Sequence, residues 1–77
     1  MIVYHVTTFS KMKKYQETGY IKPPIRAWTN LRYAEYMSLR TGRRVILRLK
    51  FPGTVEKLYG HFNQAVVLDK PYKFEGF

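Results

Sequence analysis

The chain has 77 residues and no cysteine, so we expect one domain, residues 1–77, without disulfides or thiolate-bound metal. Its 45% hydrophobic and 17% aromatic content is enough for a small core, whereas no apolar run is long enough to cross a membrane. Fourteen Lys and Arg against five Asp and Glu give a net charge of +9, which favours polyanionic partners such as RNA or DNA. Because the opening residues lack the pattern of a signal peptide, we expect a cytoplasmic protein without membrane contact.

The first predicted elements are a strand and a helix. Residues 1–7 (MIVYHVT) are β-branched and aromatic, which is typical of a strand. Thr8 or Ser10 can cap the helix that follows, which runs to about Thr18. Residues spaced three apart predict the inward face of this helix, and they are Phe9, Met12 and Tyr15.

A second strand and helix follow an extended, proline-containing stretch. Residues 20–25 (YIKPPI) are extended because a residue before proline is pushed out of the α region. Residues 26–29 (RAWT) form a short strand, and Asn30 is a suitable cap for a helix over residues 31–41. The apolar side of that helix is predicted to carry Leu31, Ala34 and Met37.

The remaining residues predict mainly strands. Residues 43–51 (RRVILRLKF) alternate apolar and largely basic positions, and residues 64–68 (QAVVL) form a buried strand. Residues 71–77 begin with proline and predict an edge strand, whereas residues 54–60 are ambiguous. We therefore expect an α+β fold with two helices and a small, split, mostly antiparallel sheet.

Several polar and aromatic residues are candidates for a binding site. His5 shares a strand face with Thr7, so it is either a half-buried histidine bonded to the backbone or half of a ligand-binding pair. Tyr33 and Tyr36 share a helix face near Trp28, and these rings either pack in the core or make a slot for a planar ring. With two histidines and no close carboxylate pair, we expect no metal site.

The densest basic group lies around the fourth predicted strand and consists of Arg43, Arg44, Arg48 and Lys50. Such a group is either a solvated, charge-protected strand edge or a surface for a nucleic-acid backbone. The second reading makes the protein a small basic nucleic-acid-binding module that uses this surface together with exposed aromatic rings. A protein-interaction role, such as a toxin–antitoxin component, is a third hypothesis that rests only on the small size of the chain.

Five short motifs in order resemble the ADP-ribosyltransferase superfamily, to which the RNA 2′-phosphotransferases are related. They are the first-strand motif YHVTT, the stretches ETGYIKPP, RAWTNLRYAEY and RRVILRLKF, and the segment NQAVVLD. The resemblance spans nearly the whole chain and implies an ADP-ribosyltransferase-like fold with a cleft for NAD or a related nucleotide.

The resemblance also implies roles for individual residues. His5 would bond ribose hydroxyls with help from Thr7, and Trp28 and Tyr36 would sandwich the nicotinamide ring. The full set of implied cofactor-binding residues is His5, Thr7, Trp28, Thr29, Tyr33 and Tyr36, and the implied catalytic residues are His5 and Gln64. Gln64 stands where the family has a catalytic glutamate, and a neutral amide predicts weak or lost transferase activity. Glu56 and Glu75 are the nearby carboxylates, and both lie outside the motif.

Overall fold

The computed structural model of the protein describes residues 1–58 and 60–74, and it confirms the α+β class. The last predicted strand therefore lies partly outside the described residues, as does Glu75. The elements in chain order are β1 (Ile2–Thr7), α1 (Phe9–Thr18), β2 (Tyr20–Ile21), β3 (Ile25–Trp28), α2 (Leu31–Thr41), β4 (Val45–Lys50), β5 (Glu56–Lys57), a 3-10 turn (His61–Asn63), β6 (Ala65–Leu68) and β7 (Tyr72–Lys73).

The described strands form two sheets in which every pairing is antiparallel. Five strands make the larger sheet in the order β4-β1-β3-β6-β5, and β2 pairs with β7 in the smaller one. The ambiguous stretch before the 3-10 turn supplies β5 at one edge of the larger sheet, whereas β4 forms the other edge. The mostly antiparallel, divided sheet agrees with the prediction.

Each helix begins after a side chain that accepts a backbone hydrogen bond and ends at a glycine. The Thr8 hydroxyl accepts a hydrogen bond from the Lys11 amide at 3.2 Å, and the Asn30 side chain accepts one from the Tyr33 amide at 3.2 Å. Gly19 and Gly42 end the two helices with φ of 78° and 75°, in the left-handed region that glycine adopts without a Cβ penalty. These local cues explain why the helix bounds follow from the sequence.

The main core lies on one face of the larger sheet. Strand alternation puts Val3, Leu47 and Val66 on the same face, and all three are at most 2% exposed. Met12 and Tyr15 of α1 pack against this core. The opposite face is covered by α2, whose buried residues are Ala34 and Ser38.

Two positions that were predicted to face inward are exposed. Phe9 is 67% exposed and Leu31 is 45% exposed, and each is the first residue of its helix. A spacing of three falls short of the 3.6 residues of a helical turn, so each step rotates the side chain by about 60° away from the buried side. The inward prediction was therefore wrong for these two residues, while Met12 and Tyr15 are partly buried.

Candidate functional site

The larger sheet opens between β1 and β3. All six residues of β1 pair with β4, whereas the pairing with β3 consists of the single pair Tyr4 and Trp28. At the next positions, His5 on β1 and Arg26 on β3, a side chain links the two strands: Nδ1 of His5 lies 2.7 Å from the carbonyl oxygen of Arg26. A side chain thus replaces the backbone ladder at the point where the strands separate.

The hydrogen bonds of His5 define its tautomer. A carbonyl oxygen only accepts, so Nδ1 carries the proton and donates to Arg26. In the neutral ring, Nε2 then accepts from the Tyr15 hydroxyl at 3.3 Å, and that hydroxyl accepts in turn from the Thr7 hydroxyl at 3.4 Å. Both ring nitrogens therefore have partners inside the protein, and Tyr15 links the two residues of the predicted His5–Thr7 pair.

The surroundings of His5 favour its neutral form. Burial lowers the pKa of His5 below its ordinary value of 6.5, and the charges of Lys11 and Arg43 lower this pKa further. The hydrogen bond to the Arg26 carbonyl acts in the opposite direction and is outweighed. The imidazole is thus uncharged at neutral pH, in a positive local potential.

A cavity of about 470 Å³ lies beside His5, and we call it the basic cavity. None of its described lining residues is acidic. The walls that are not basic include Tyr15, Tyr20, Ile21 and Pro24. Five cationic side chains line it, and they are Lys11, Lys14, Lys22, Arg26 and Arg43.

A second cavity of about 370 Å³ shares His5, Arg26 and Arg43 with the first. Its other walls include Trp28 and Met37, so we call it the tryptophan cavity. The basic cavity is walled by α1 and β2, and the tryptophan cavity by α2, which pack on opposite faces of the sheet. The two cavities share the residues at the opening between β1 and β3, and together they are called the cleft below.

The backbone that carries Arg43 is fixed by α2. The buried hydroxyl of Ser38 donates a hydrogen bond to the carbonyl oxygen of Arg43, just after the helix ends. This bond uses the main chain of Arg43, and the residue lines both cavities of the cleft. Arg43 is the one member of the predicted basic group that the structure places among the described lining residues of the cleft.

The other three residues of the basic group lie elsewhere. Arg44, Arg48 and Lys50 are exposed, along the edge strand β4 and the residue that precedes it. Strand alternation puts these three on the same side of the strand. They form a second basic surface, which we call the β4 edge.

The predicted aromatic residues form a packed cluster. Tyr33 contacts the ring of Trp28 at a centroid distance of 5.0 Å and that of Tyr36 at 5.9 Å. His61 joins them, since its ring lies 5.1 Å from Trp28 and its Nδ1 lies 3.2 Å from the Tyr33 hydroxyl. Tyr33 thus stands in contact with both rings of the predicted nicotinamide sandwich. Trp28 is the member of this cluster that also lines the cleft.

Gln64 lies on the far side of β3 from His5. Its side-chain oxygen accepts a hydrogen bond from the Thr29 hydroxyl at 2.7 Å, and its carbonyl oxygen accepts from the Thr29 amide at 2.7 Å. Two strand spacings and two residues along the strands separate its Cα from that of His5, on the order of 10 Å. Gln64 is not among the described residues that line the cleft.

Two further residues named from the sequence, Thr7 and Glu56, are not among the described residues that line the cleft. Thr7 is only 1% exposed, so it contacts Tyr15 rather than open space. Glu56 lines a separate cavity of about 220 Å³ together with Asp69, between β5 and the end of β6. These two carboxylates therefore lie outside the cleft.

The helix α1 contributes residues that the sequence argument did not assign to the site. The spacing of these four residues (i, i+3, i+4 and i+7) is that of one helix face, and all four line the basic cavity: Lys11, Lys14, Tyr15 and Thr18. Lysines on a partly buried helix are ordinarily solvated, so the sequence alone does not mark this face as a site. It becomes the wall of a cavity because residues of β2 and β3 line the opposite side. The sequence likewise does not indicate that Arg26 lines a cavity, because it looks like an ordinary polar position of a short strand.

Among residues 1–58 and 60–74, no cluster of three or more His, Cys, Asp or Glu is arranged to hold a metal ion. In the same part of the chain, no helix is both long and apolar enough to span a bilayer. Comparisons with protein-family models, curated proteins and solved structures give no match to this chain.

Proposed function

We propose that this protein is a small, ADP-ribosyltransferase-like domain that binds NAD or a related nucleotide in the cleft at His5, with weak or lost transferase activity. One observation carries the proposal: five cationic side chains and no described carboxylate line a cavity beside a neutral, half-buried histidine. Such a site suits a phosphate-bearing ligand, because Lys and Arg bind phosphate through charge-assisted hydrogen bonds.

The two cavities match the two kinds of group in a nucleotide. Phosphates would lie against the cations of the basic cavity, and a planar ring would lie against Tyr20 or, in the tryptophan cavity, against Trp28. Volumes of about 470 and 370 Å³ lie within the ordinary range of small-molecule sites. Arg26 and Arg43 line both cavities and so would contact a ligand bound in either one.

His5 is suited to organising the cleft. Its bond to the Arg26 carbonyl fixes the spacing of β1 and β3, and its Nε2 is available to a ribose hydroxyl only when the Tyr15 hydroxyl moves away. A ligand hydroxyl therefore competes with Tyr15 for the same acceptor. Loss of the imidazole would affect both the shape of the cleft and this acceptor.

Calorimetric titration with ADP-ribose and NAD tests the proposal. We expect His5→Ala and Arg43→Gln each to weaken binding at least about tenfold, as expected when a charged or oriented contact is removed. Lys13→Gln is the matched control, because Lys13 is an exposed cation on α1 beside two residues that line the cleft. Absence of binding at millimolar ligand would refute the proposal.

The neutral side chain at position 64 supports the proposal of weak turnover. An amide lacks the charge that stabilises an oxocarbenium-like centre or accepts a proton. In Gln64→Glu the carboxylate would accept the same hydrogen bond from Thr29, so the fold should persist. NAD hydrolysis should then rise above the wild-type rate, provided that the ligand extends from the cleft past β3 to position 64. If hydrolysis does not rise although NAD binds, Gln64 does not occupy the catalytic position.

The β4 edge favours a second candidate function, the binding of a nucleic-acid backbone. Its three exposed cations lie on one side of an edge strand, in a chain of net charge +9. For this function, Arg48→Gln should weaken RNA or DNA binding and reduce the slope of log affinity against log salt by about 1. His5→Ala should leave that binding unchanged, which distinguishes this function from the first.

A further inference from the structure

The charges of the protein are segregated around the cleft. Two of the described carboxylates, Glu56 and Asp69, line the cavity beside β5, which is the edge of the sheet remote from β1. Glu17 and Glu35 are exposed on the helices, and neither is among the lining residues of the cleft. A ligand in the cleft thus meets five cations, and none of the described residues that line the cleft is a carboxylate.

Nicotinamide nucleotides and ADP-ribose differ in whether they carry a positively charged ring. The oxidised nicotinamide ring of NAD⁺ carries a positive charge, whereas the reduced ring of NADH is neutral, and the two molecules otherwise have nearly the same shape. ADP-ribose has the same pyrophosphate and lacks the ring altogether. A cationic ring close to Arg26 and Arg43 is repelled by both, and no described lining residue of the cleft supplies an opposing negative charge.

We infer that the cleft selects nucleotides by charge and prefers ligands without a cationic ring, such as ADP-ribose and NADH, to NAD⁺. The inference rests on the proposed nucleotide-binding function and narrows its ligand class to pyrophosphates whose remaining groups are neutral. The position of Arg43 in both cavities carries it, since a ring in either cavity shares that cavity with the Arg43 side chain. A domain with this preference holds the product-like nucleotide better than the NAD⁺ from which ADP-ribose is released.

The test is a comparison of dissociation constants for NADH, NAD⁺ and ADP-ribose by calorimetry at low ionic strength. We expect NADH and ADP-ribose to bind about tenfold more tightly than NAD⁺, a difference that corresponds to about 1.4 kcal/mol. The ratio should shrink as salt is raised towards physiological strength, because the Debye length then falls to about 8 Å. A ratio that is independent of salt would contradict an electrostatic origin.

Two variants with the same change of charge locate the effect. Arg43→Gln should bring the NADH to NAD⁺ ratio down by about half or more, since it removes the cation shared by the two cavities. Lys13→Gln removes one charge from the exposed side of α1 and should leave the ratio as in the wild type. Equal affinities for NADH and NAD⁺, or tighter binding of NAD⁺, would overturn the inference while leaving nucleotide binding intact. Failure of all three ligands to bind would instead refute the proposed function, and the inference with it.

Discussion

The hydroxyl of Tyr15 is a small group whose removal should have a measurable effect. It lies 3.3 Å from Nε2 of His5 and 3.4 Å from the hydroxyl of Thr7, which is only 1% exposed. Both distances are at the long end for hydrogen bonds, so we assign about 0.5 kcal/mol to each and about 1 kcal/mol to the pair. The poorer solvation of the buried Thr7 hydroxyl adds to this loss, so Tyr15→Phe should lower the free energy of unfolding by about 1–2 kcal/mol.

Thermal and urea unfolding measure this change directly. For a domain of this size, 1 kcal/mol corresponds to a decrease in Tm of about 4–8 °C. Tyr20→Phe is the matched control, because it removes the same hydroxyl from a side chain that is 52% exposed on the wall of the same cavity, and it should change stability by less than about 0.5 kcal/mol. If the two variants are equally stable, the hydrogen-bonded chain from Thr7 to His5 does not contribute as described.

Three further predictions concern stability. Because burial lowers the pKa of His5 below 6.5, the unfolded chain binds more protons than the folded one just below pH 6.5. The free energy of unfolding should therefore fall as the pH is lowered through that range. Urea unfolding of His5→Gln should show a smaller fall. Asn30→Ala should cost about 1 kcal/mol because the Tyr33 amide loses its capping acceptor, whereas Asn30→Asp should retain the cap, as equilibrium unfolding can establish. Phe51→Ala, at a core side chain that is 1% exposed, should cost about 3–5 kcal/mol, and a cost below 1 kcal/mol in urea unfolding would contradict its place in the core.

The parts of the fold that depend on local chemistry were predictable from the sequence. Helix α2 begins after Asn30 and ends at Gly42, as expected, because capping depends on a few neighbouring atoms. The alternation of residues 45–50 likewise predicted β4 and its buried side. The two-residue strands β2 and β5 were less visible, since so short a strand has no period of its own and forms only against a partner.

The site was harder to predict because it depends on tertiary contacts. Strand alternation placed His5 and Thr7 on one face, yet nothing in the sequence shows that β1 and β3 separate beyond one pair of residues. Tyr15 was identified as a packing residue, and its hydroxyl acquires a role only when α1 lies against β1. The charge of +9 predicted an anionic partner without indicating which cations converge.

The central claim is that the cleft at His5 binds a phosphate-bearing nucleotide. The most direct measurement is a titration of the isotope-labelled protein with ADP-ribose, followed by NMR chemical shifts of the backbone and of the His5 ring. We predict saturable shifts at His5, Tyr15, Arg26 and Arg43, with little change along the edge formed by β5. No shifts at millimolar ADP-ribose, or shifts confined to the β4 edge, would contradict the account.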